Sequence, residues 1–236
     1  MNHWIGTSGF QYAEWKGTFY PEDLPTSKML GFYAERFTTT EVNYSFRRIP
    51  SPKTIQNWYE GTPEQFKFSL KAPQKVTHFA KLKNCGDTMS YFCQVITDLE
   101  TKLGPVLFQL PPNFKKDTAV LADFLECVPA GLRAAFEFRN ASWFDEEVFG
   151  LLNGKNIALC IAESADLSAP VVATADYGYL RLRREDYTDA DMQRWATAIM
   201  EKQSVWPDAF VYLKHEESGM GPRLAKQLMG ILEGTG

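Results

Sequence analysis

The chain of 236 residues, with 44% hydrophobic and 23% charged residues, is long enough for one well-packed domain, which we expect to span residues 1–236. Its formal net charge of −4 argues against nucleic-acid binding through overall charge, although that sum would hide a local basic patch. The first residues show neither the basic segment nor the long apolar run of a signal peptide, and no later apolar run is long enough to span a membrane. We therefore expect a soluble cytoplasmic protein with no membrane partner.

Segments rich in β-branched and aromatic residues alternate along the chain with amphipathic stretches. The predicted strands are 4–8, 39–45, 66–71, 105–110, 133–138, 157–162, 178–183 and 209–214. Residues 27–37 and 88–103 carry apolar side chains at helical spacing, which predicts helices packed on a sheet. Residues 163–177 contain Pro170 and mostly small residues, so the sixth helix is predicted to be short or missing.

Alternating strands and helices predict parallel strands joined by right-handed crossovers. Eight such units close into a (β/α)8 barrel, which is the α/β fold that we expect. An open doubly wound sheet is the competing architecture. The barrel is favoured because no Gly-rich GxGxxG turn follows the first strand and because polar strand endings recur throughout the chain.

Four cysteines are spread along the chain without a CxxC pair: Cys85, Cys93, Cys127 and Cys160. This spacing favours buried free thiols in a reducing compartment over disulfides or a zinc site.

Polar and charged side chains end most of the predicted strands. Alternate residues of a strand share a face, and the large apolar residues must cover the helix layer, so the polar set faces the barrel axis. The residues predicted to point inward are Ser8, Glu41, Asn43, Lys71, Gln109, Glu137, Arg139, Tyr179, Arg181, Arg183, Tyr212 and Lys214. They lie towards the carboxyl-terminal ends of the strands, where the active sites of such barrels are found. For Glu163 the alternation gives no clear direction.

The cations in this set outnumber the carboxylates, which suits an anionic ligand such as a phosphate or a carboxylate. The predicted substrate-binding residues are Ser8, Asn43, Lys71, Gln109, Arg139, Trp143, Arg181 and Lys214. Trp143 belongs to a group of loop aromatics that could stack on a sugar or a base. Glu–Arg pairs that only neutralise one another inside the barrel are the alternative interpretation.

Glu41 and Glu137 are the predicted acid and base, because carboxylates on different strands can face one another across a mouth. His78 follows the third strand and is the histidine best placed to carry a proton, while His215 follows Lys214 directly. The alternative is that both carboxylates are ion-paired and always ionised.

No cofactor and no metal are predicted. The three histidines are scattered and form no HxH or HExxH motif, which argues against zinc. Glu41, His78, Glu137 and Glu163 could in principle gather a divalent ion, but the neighbouring cations would repel it.

Six motifs in order closely resemble the YecE-like family, a domain of unknown function numbered seventy-two. They are Ile5–Gly9, Trp15–Pro21, Thr40–Phe46, Phe68–Pro73 followed by Thr77 and His78, Gly104–Pro112, and Glu137–Arg139 followed by Ser142 and Trp143. The resemblance runs nearly end to end. It implies a TIM barrel and no particular reaction, because the family has no established activity.

Three departures from the family pattern lie in the second half of the predicted mouth. The family usually carries His where this chain has Asn140, Arg-Leu-His-Gly where it has 181–184, and Phe-Asn-Asn where it has 213–215. Arg183, Arg184 and Lys214 therefore add positive charge. From these departures we expect that a ligand held by strands seven and eight differs from that of typical members.

The first hypothesis is an enzyme that acts on a small anionic or sugar-like substrate at the mouth. The second is a non-catalytic module that binds a phosphorylated metabolite or, less favoured, a nucleic acid through the same cationic rim, with Arg47, Arg48, Arg183 and Arg184 adding phosphate contacts. The third is a metal-dependent nuclease or isomerase.

Overall fold

The computed structural model describes residues 1–214 and 219–234. Eight parallel strands close into a barrel in chain order, because β8 pairs with β1 as well as with β7. The strands are β1 (Asn2–Ser8), β2 (Thr39–Val42), β3 (Lys67–Lys71), β4 (Leu103–Gln109), β5 (Ala134–Glu137), β6 (Ala158–Glu163), β7 (Tyr177–Leu182) and β8 (Asp208–Leu213). The predicted (β/α)8 barrel is confirmed, and the open sheet is excluded.

Helices cover the outside of the barrel. They are α1 (Met29–Ala34), α2 (Tyr44–Arg47), α3 (Pro52–Glu60), α4 (Gly86–Ile96), α5 (Thr118–Leu125), α6 (Glu146–Gly154), α7 (Asp189–Met200) and α8 (Met220–Gly234). Local sequence signals set several of their starts. Ser51 caps α3 by accepting from the Thr54 amide, and Thr188 and Asp191 form a reciprocal capping box at α7.

The connection between β6 and β7 contains no helix along residues 164–176, all of which the structure describes. Thr174 lies in this connection and is buried. Its hydroxyl accepts from the amide of Leu159 at 2.6 Å and donates to the carbonyl of Ile157 at 2.7 Å. The segment therefore hydrogen-bonds directly to β6 and its lead-in residue, and the prediction of a short or missing sixth helix is confirmed.

Two apolar layers fill the protein, one between strands and helices and one inside the barrel. The inner layer includes Tyr177, Tyr179, Phe210 and Tyr212, all of them buried. The Tyr177 hydroxyl donates to the carbonyl of Ala134 at 2.8 Å, so a polar group this deep still has a partner. Each buried aromatic contributes roughly 2–3 kcal/mol by leaving water. The interior below the mouth is thus a packed core, and a ligand can enter only from the rim.

All four cysteines are free thiols. Cys85, Cys93 and Cys160 are buried as expected, but Cys127 is exposed because it follows the end of α5 on the outer surface. No helix in the described residues is long and apolar enough to cross a membrane.

Candidate functional site

The polar strand endings meet at the carboxyl-terminal mouth, as the side-chain alternation predicts. Arg181 from β7 reaches Glu41 from β2 and Glu137 from β5, so one guanidinium joins three strands across the barrel. Its Nη2 and Nε lie 2.8 and 3.1 Å from Glu41 Oε1, and its Nη1 donates to Glu137 Oε2. These contacts confirm the inward orientation of all three side chains.

Glu41 has no exposed surface, and every contact of its carboxylate favours the ionised form. Ser8 Oγ donates to Oε1 at 2.5 Å, and the Tyr179 hydroxyl donates to Oε2 at 2.7 Å. Asn43 Nδ2 in turn donates to Ser8 Oγ at 2.9 Å. Burial alone would raise the pKa of the Glu41 carboxyl, but Arg181 and these donors hold that pKa below its ordinary value.

Glu137 is held in the same way on the opposite side of the barrel. Its Oε1 accepts from Gln109 Nε2 at 2.9 Å and from Arg183 Nη1 at 3.4 Å, in addition to the contact with Arg181. Burial would raise the pKa of this carboxyl. Arg181, Arg183 and Gln109 outweigh burial and lower the pKa to about 2.

Both glutamates are therefore ionised near neutral pH, and an ionised carboxyl group cannot donate a proton. This contradicts the prediction that the pair supplies a general acid, and the alternative of ion-paired carboxylates describes the geometry better. Arg181 is only 2% exposed and is fully engaged, so it holds the two carboxylates instead of contacting a ligand as predicted. Ser8 is also buried, and its hydroxyl is occupied by Glu41.

Lys71, at the end of β3, is the most unusual charged group of the mouth. It is 9% exposed, and its Nζ donates to Gln109 Oε1 at 2.7 Å and lies 4.1 Å from the centre of the Phe46 ring. It forms no ion pair with any described residue. Burial lowers the pKa of its ammonium, Arg181 lowers it further, and the glutamates oppose both effects, giving a pKa of about 8.

His78 lies on the same side of the mouth. Its ring packs edge-on against Phe46 with centroids 4.9 Å apart, and its Nδ1 is 2.9 Å from Thr77 Oγ1. Burial, Lys71 and Arg139 all lower the pKa of the imidazole. His78 is therefore neutral at pH 7 and can accept a proton there.

Arg139 and Arg183 line a cavity of about 190 Å³ beside Glu137, and Ser164 and Asp166 form part of its wall. The Arg139 guanidinium has no hydrogen bond or ion pair with the residues that the structure describes. Arg183 Nε is buried and has no hydrogen-bond partner in the described chain. Two guanidiniums with unused donors thus face one small cavity.

Trp143 is the clearest error among the predicted substrate-binding residues. Its ring stacks on Phe138 at 4.9 Å, its Nε1 donates to the Phe114 carbonyl at 2.7 Å, and it has no exposed surface. It is a packing residue behind the mouth. Glu163 also faces away from the barrel axis, because it accepts from Trp195 Nε1 at 2.8 Å on the helix side.

The residues that depart from the family pattern lie in different parts of the structure. Arg183 lies in the mouth, whereas Arg184 pairs with Asp191 at 3.1 Å outside it. Asn140 accepts from the Ser142 amide at 3.1 Å and shapes the turn after β5. Lys214 follows β8, and its backbone amide extends the pairing with β7. His215 lies outside the described residues.

The strand alternation predicts that Tyr179 points inward with Arg181, and the Tyr179 hydroxyl donates to Glu41. Phe46, like Trp143, belongs to the loop aromatics that could stack on a sugar or a base, but no signal in the sequence shows that its ring would lie beneath Lys71. Within the described residues, no group of three or more His, Cys, Asp or Glu side chains is arranged to hold a metal ion.

The fold and the mouth define a TIM barrel whose carboxyl-terminal end is rich in cations. Residues 4–236 match the family described as "Protein of unknown function DUF72", and the chain belongs to that family. The resemblance to the YecE-like proteins is thereby confirmed.

Several relatives share this family. The UPF0759 protein YecE of Escherichia coli K12 is 29% identical over 113 residues, which are 48% of this chain and 42% of that protein's length. The UPF0759 protein YunF of Bacillus subtilis is 23% identical, and the match covers 98% of this chain and 94% of YunF. A DUF72 crystal structure from Thermotoga maritima superposes with a TM-score of 0.87 at 27% identity, covering 99% of this chain and all of that one. These comparisons establish the family and fold, and they name no reaction.

Proposed function

We propose that the mouth of the barrel binds a small anionic ligand carrying a phosphate or a carboxylate, and that the protein is an enzyme acting on it. The observation that carries this proposal is the charge balance of the mouth. Four cations, Lys71, Arg139, Arg181 and Arg183, face three carboxylates, Glu41, Glu137 and Asp166 in the cavity wall. One formal positive charge is in excess when Lys71 is protonated.

The excess charge is not spread evenly. Arg181 is held by both glutamates, and Arg183 makes one contact of 3.4 Å with Glu137. Lys71 and Arg139 have no carboxylate partner in the described chain. An anion between these groups would supply the missing negative charge, and guanidiniums suit phosphate and carboxylate oxygens because their donors form a planar fork.

The orphaned donor of Arg183 strengthens the same argument. A buried N–H without an acceptor costs about 1–3 kcal/mol, and an anion oxygen would remove that cost if the Arg183 side chain turned its Nε into the adjacent cavity. The cavity of about 190 Å³ leaves room for such a group beside Arg139.

Catalysis is supported by the two groups around Phe46. Lys71, with a pKa of about 8, and His78, with a lowered pKa, can both exchange protons near neutral pH. Perturbed pKa values of this kind concentrate at functional sites. The acid–base function that sequence assigned to the glutamates is therefore proposed for Lys71 and His78.

Thermal unfolding with inorganic phosphate tests the binding proposal. Phosphate at a hundredfold excess over its dissociation constant should stabilise the wild-type protein by about 2.7 kcal/mol. A double variant, Arg139→Met with Arg183→Met, should lose that stabilisation. Lys155→Met is the matched control, because Lys155 precedes β6 at the opposite end of the barrel and, among the described residues, forms an ion pair only with the exposed Glu126. An equal shift in the double variant and in the control would refute the proposed site.

A further inference from the structure

We propose that Lys71 is a nucleophile that condenses with the carbonyl group of an anionic aldehyde or ketone to form a Schiff base. The substrate class is a small carbonyl compound with a carboxylate or a phosphate, such as a 2-oxo acid or a phosphorylated aldehyde. This inference rests on the anion-binding function proposed above, since Arg139 and Arg183 would hold the charged end of the same molecule.

The position of the Lys71 amine is fixed by a chain of hydrogen bonds that starts at Arg181. Ionised Glu137 can only accept, so Gln109 must turn its Nε2 towards Glu137 at 2.9 Å. The Gln109 Oε1 then faces Lys71 and accepts from Nζ at 2.7 Å. The amine is thereby held by a neutral amide oxygen, which leaves its charge uncompensated.

The surroundings of Lys71 make its neutral, nucleophilic form more accessible than that of an ordinary lysine. It is nearly buried and makes no ion pair with the described residues, and the guanidiniums of Arg181 and Arg183 share the mouth with it. Burial and these cations outweigh Glu137 and Glu41 and lower its pKa to about 8. A buried lysine beside other cations is an established way to obtain a nucleophilic amine.

Anion-binding and proton-carrying groups lie around the same amine. The charge of Arg139 acts on His78, and the charge of Arg183 acts on Lys71, so both arginines lie within electrostatic reach of this side of the mouth. His78 and Lys71 both pack against the Phe46 ring. The Lys71 amine is not part of the lining of the cavity beside Arg139 and Arg183, so the ligand must extend from these arginines along the mouth to reach the amine.

The step balances without an oxidant or a reductant. The Lys71 ammonium first gives one proton to His78. The neutral amine then attacks the carbonyl carbon, a C–N bond forms, and the carbonyl π pair moves to the oxygen, which takes that proton from His78. His78 accepts the proton released by the nitrogen and returns it to the departing hydroxyl group. Water leaves, and a protonated imine remains on Lys71.

Reductive trapping with glyoxylate tests the inference, because glyoxylate is small and carries both an aldehyde and a carboxylate. Borohydride converts the imine into a stable secondary amine, so a modified lysine gains the mass of glyoxylate less one oxygen. Peptide mass spectrometry compares Lys71 with the exposed Lys75 four residues later, which is an internal reference. Acetaldehyde, which lacks the carboxylate, is the second comparison.

Lys71 should be trapped roughly ten- to a hundredfold faster than Lys75, because the lowered pKa of Lys71, about 8, leaves part of its amine neutral at pH 7. The preference should be smaller with acetaldehyde. Gln109→Leu should weaken trapping at Lys71 but not at Lys75, because only Lys71 is positioned by that amide. Lys71→Arg should abolish the preferred site.

Two outcomes would overturn the inference in distinguishable ways. If phosphate stabilises the wild-type protein but Lys71 is trapped no faster than Lys75, the Schiff base is refuted and the anion site stands. If neither phosphate nor glyoxylate binds, the proposed function fails and the inference fails with it.

Discussion

Replacing Glu137 with glutamine should remove a large pH-dependent part of the stability of the protein. Glu137 is buried, and its pKa of about 2 lies below the value of 4.5 that an exposed glutamate has. A group with a depressed folded pKa contributes stability above its unfolded pKa, and that contribution is lost as the pH falls through the folded pKa. The fall from 4.5 to about 2 corresponds to roughly 3 kcal/mol at about 1.4 kcal/mol per pKa unit.

Urea unfolding followed by tryptophan fluorescence at several pH values measures this contribution. The wild-type protein should lose roughly 3 kcal/mol of unfolding free energy between pH 5 and pH 2 from Glu137 alone. Glu137→Gln should be about 3–5 kcal/mol less stable at pH 7, because one partner of a buried ion pair is gone, and its pH dependence should be correspondingly shallower. Glu14→Gln, at an exposed glutamate in the first loop, is the control. An unchanged pH dependence in Glu137→Gln would refute the ion-pair account of the mouth.

Two further changes separate structural from functional residues. Trp143→Ala should destabilise the protein by about 3–5 kcal/mol, because it empties a buried site, while phosphate should still stabilise the folded variant. Loss of phosphate binding in a folded Trp143→Ala protein would show that Trp143 contributes to the ligand site after all. Thr174→Val should cost about 1–3 kcal/mol in urea unfolding, because the amide of Leu159 and the carbonyl of Ile157 lose their hydroxyl partner. A neutral result would show that the β6–β7 connection does not depend on that hydroxyl.

The barrel and the inward-facing residues could be predicted because strand alternation is a strong constraint. Glu137 and Arg181 each end or nearly end a strand whose other face is apolar, so a shift by one residue would turn that apolar face towards the barrel axis. The direction of the Glu163 side chain could not be predicted by the same alternation. Glu163 shares a face with Ile161, and the outward direction is stable only because Trp195 and Arg194 from α7 supply donors to its carboxylate.

The chemical roles could not be predicted, because they depend on distances between strands. The guanidinium of Arg181 reaches the carboxylates of both Glu41 and Glu137. This contact keeps the predicted acid–base pair ionised. The lowered pKa of Lys71 likewise depends on burial and on neighbours from other strands. Trp143 was misplaced because a loop aromatic can face the mouth or the core, and sequence periodicity does not distinguish the two.

A crystal structure of the protein with inorganic phosphate would test the anion-binding mouth most directly. The account predicts a phosphate between the guanidiniums of Arg139 and Arg183, in the cavity that both residues line. The account would be contradicted if, at a phosphate concentration that stabilises the protein, the crystal structure showed phosphate bound elsewhere on the surface and none in the mouth.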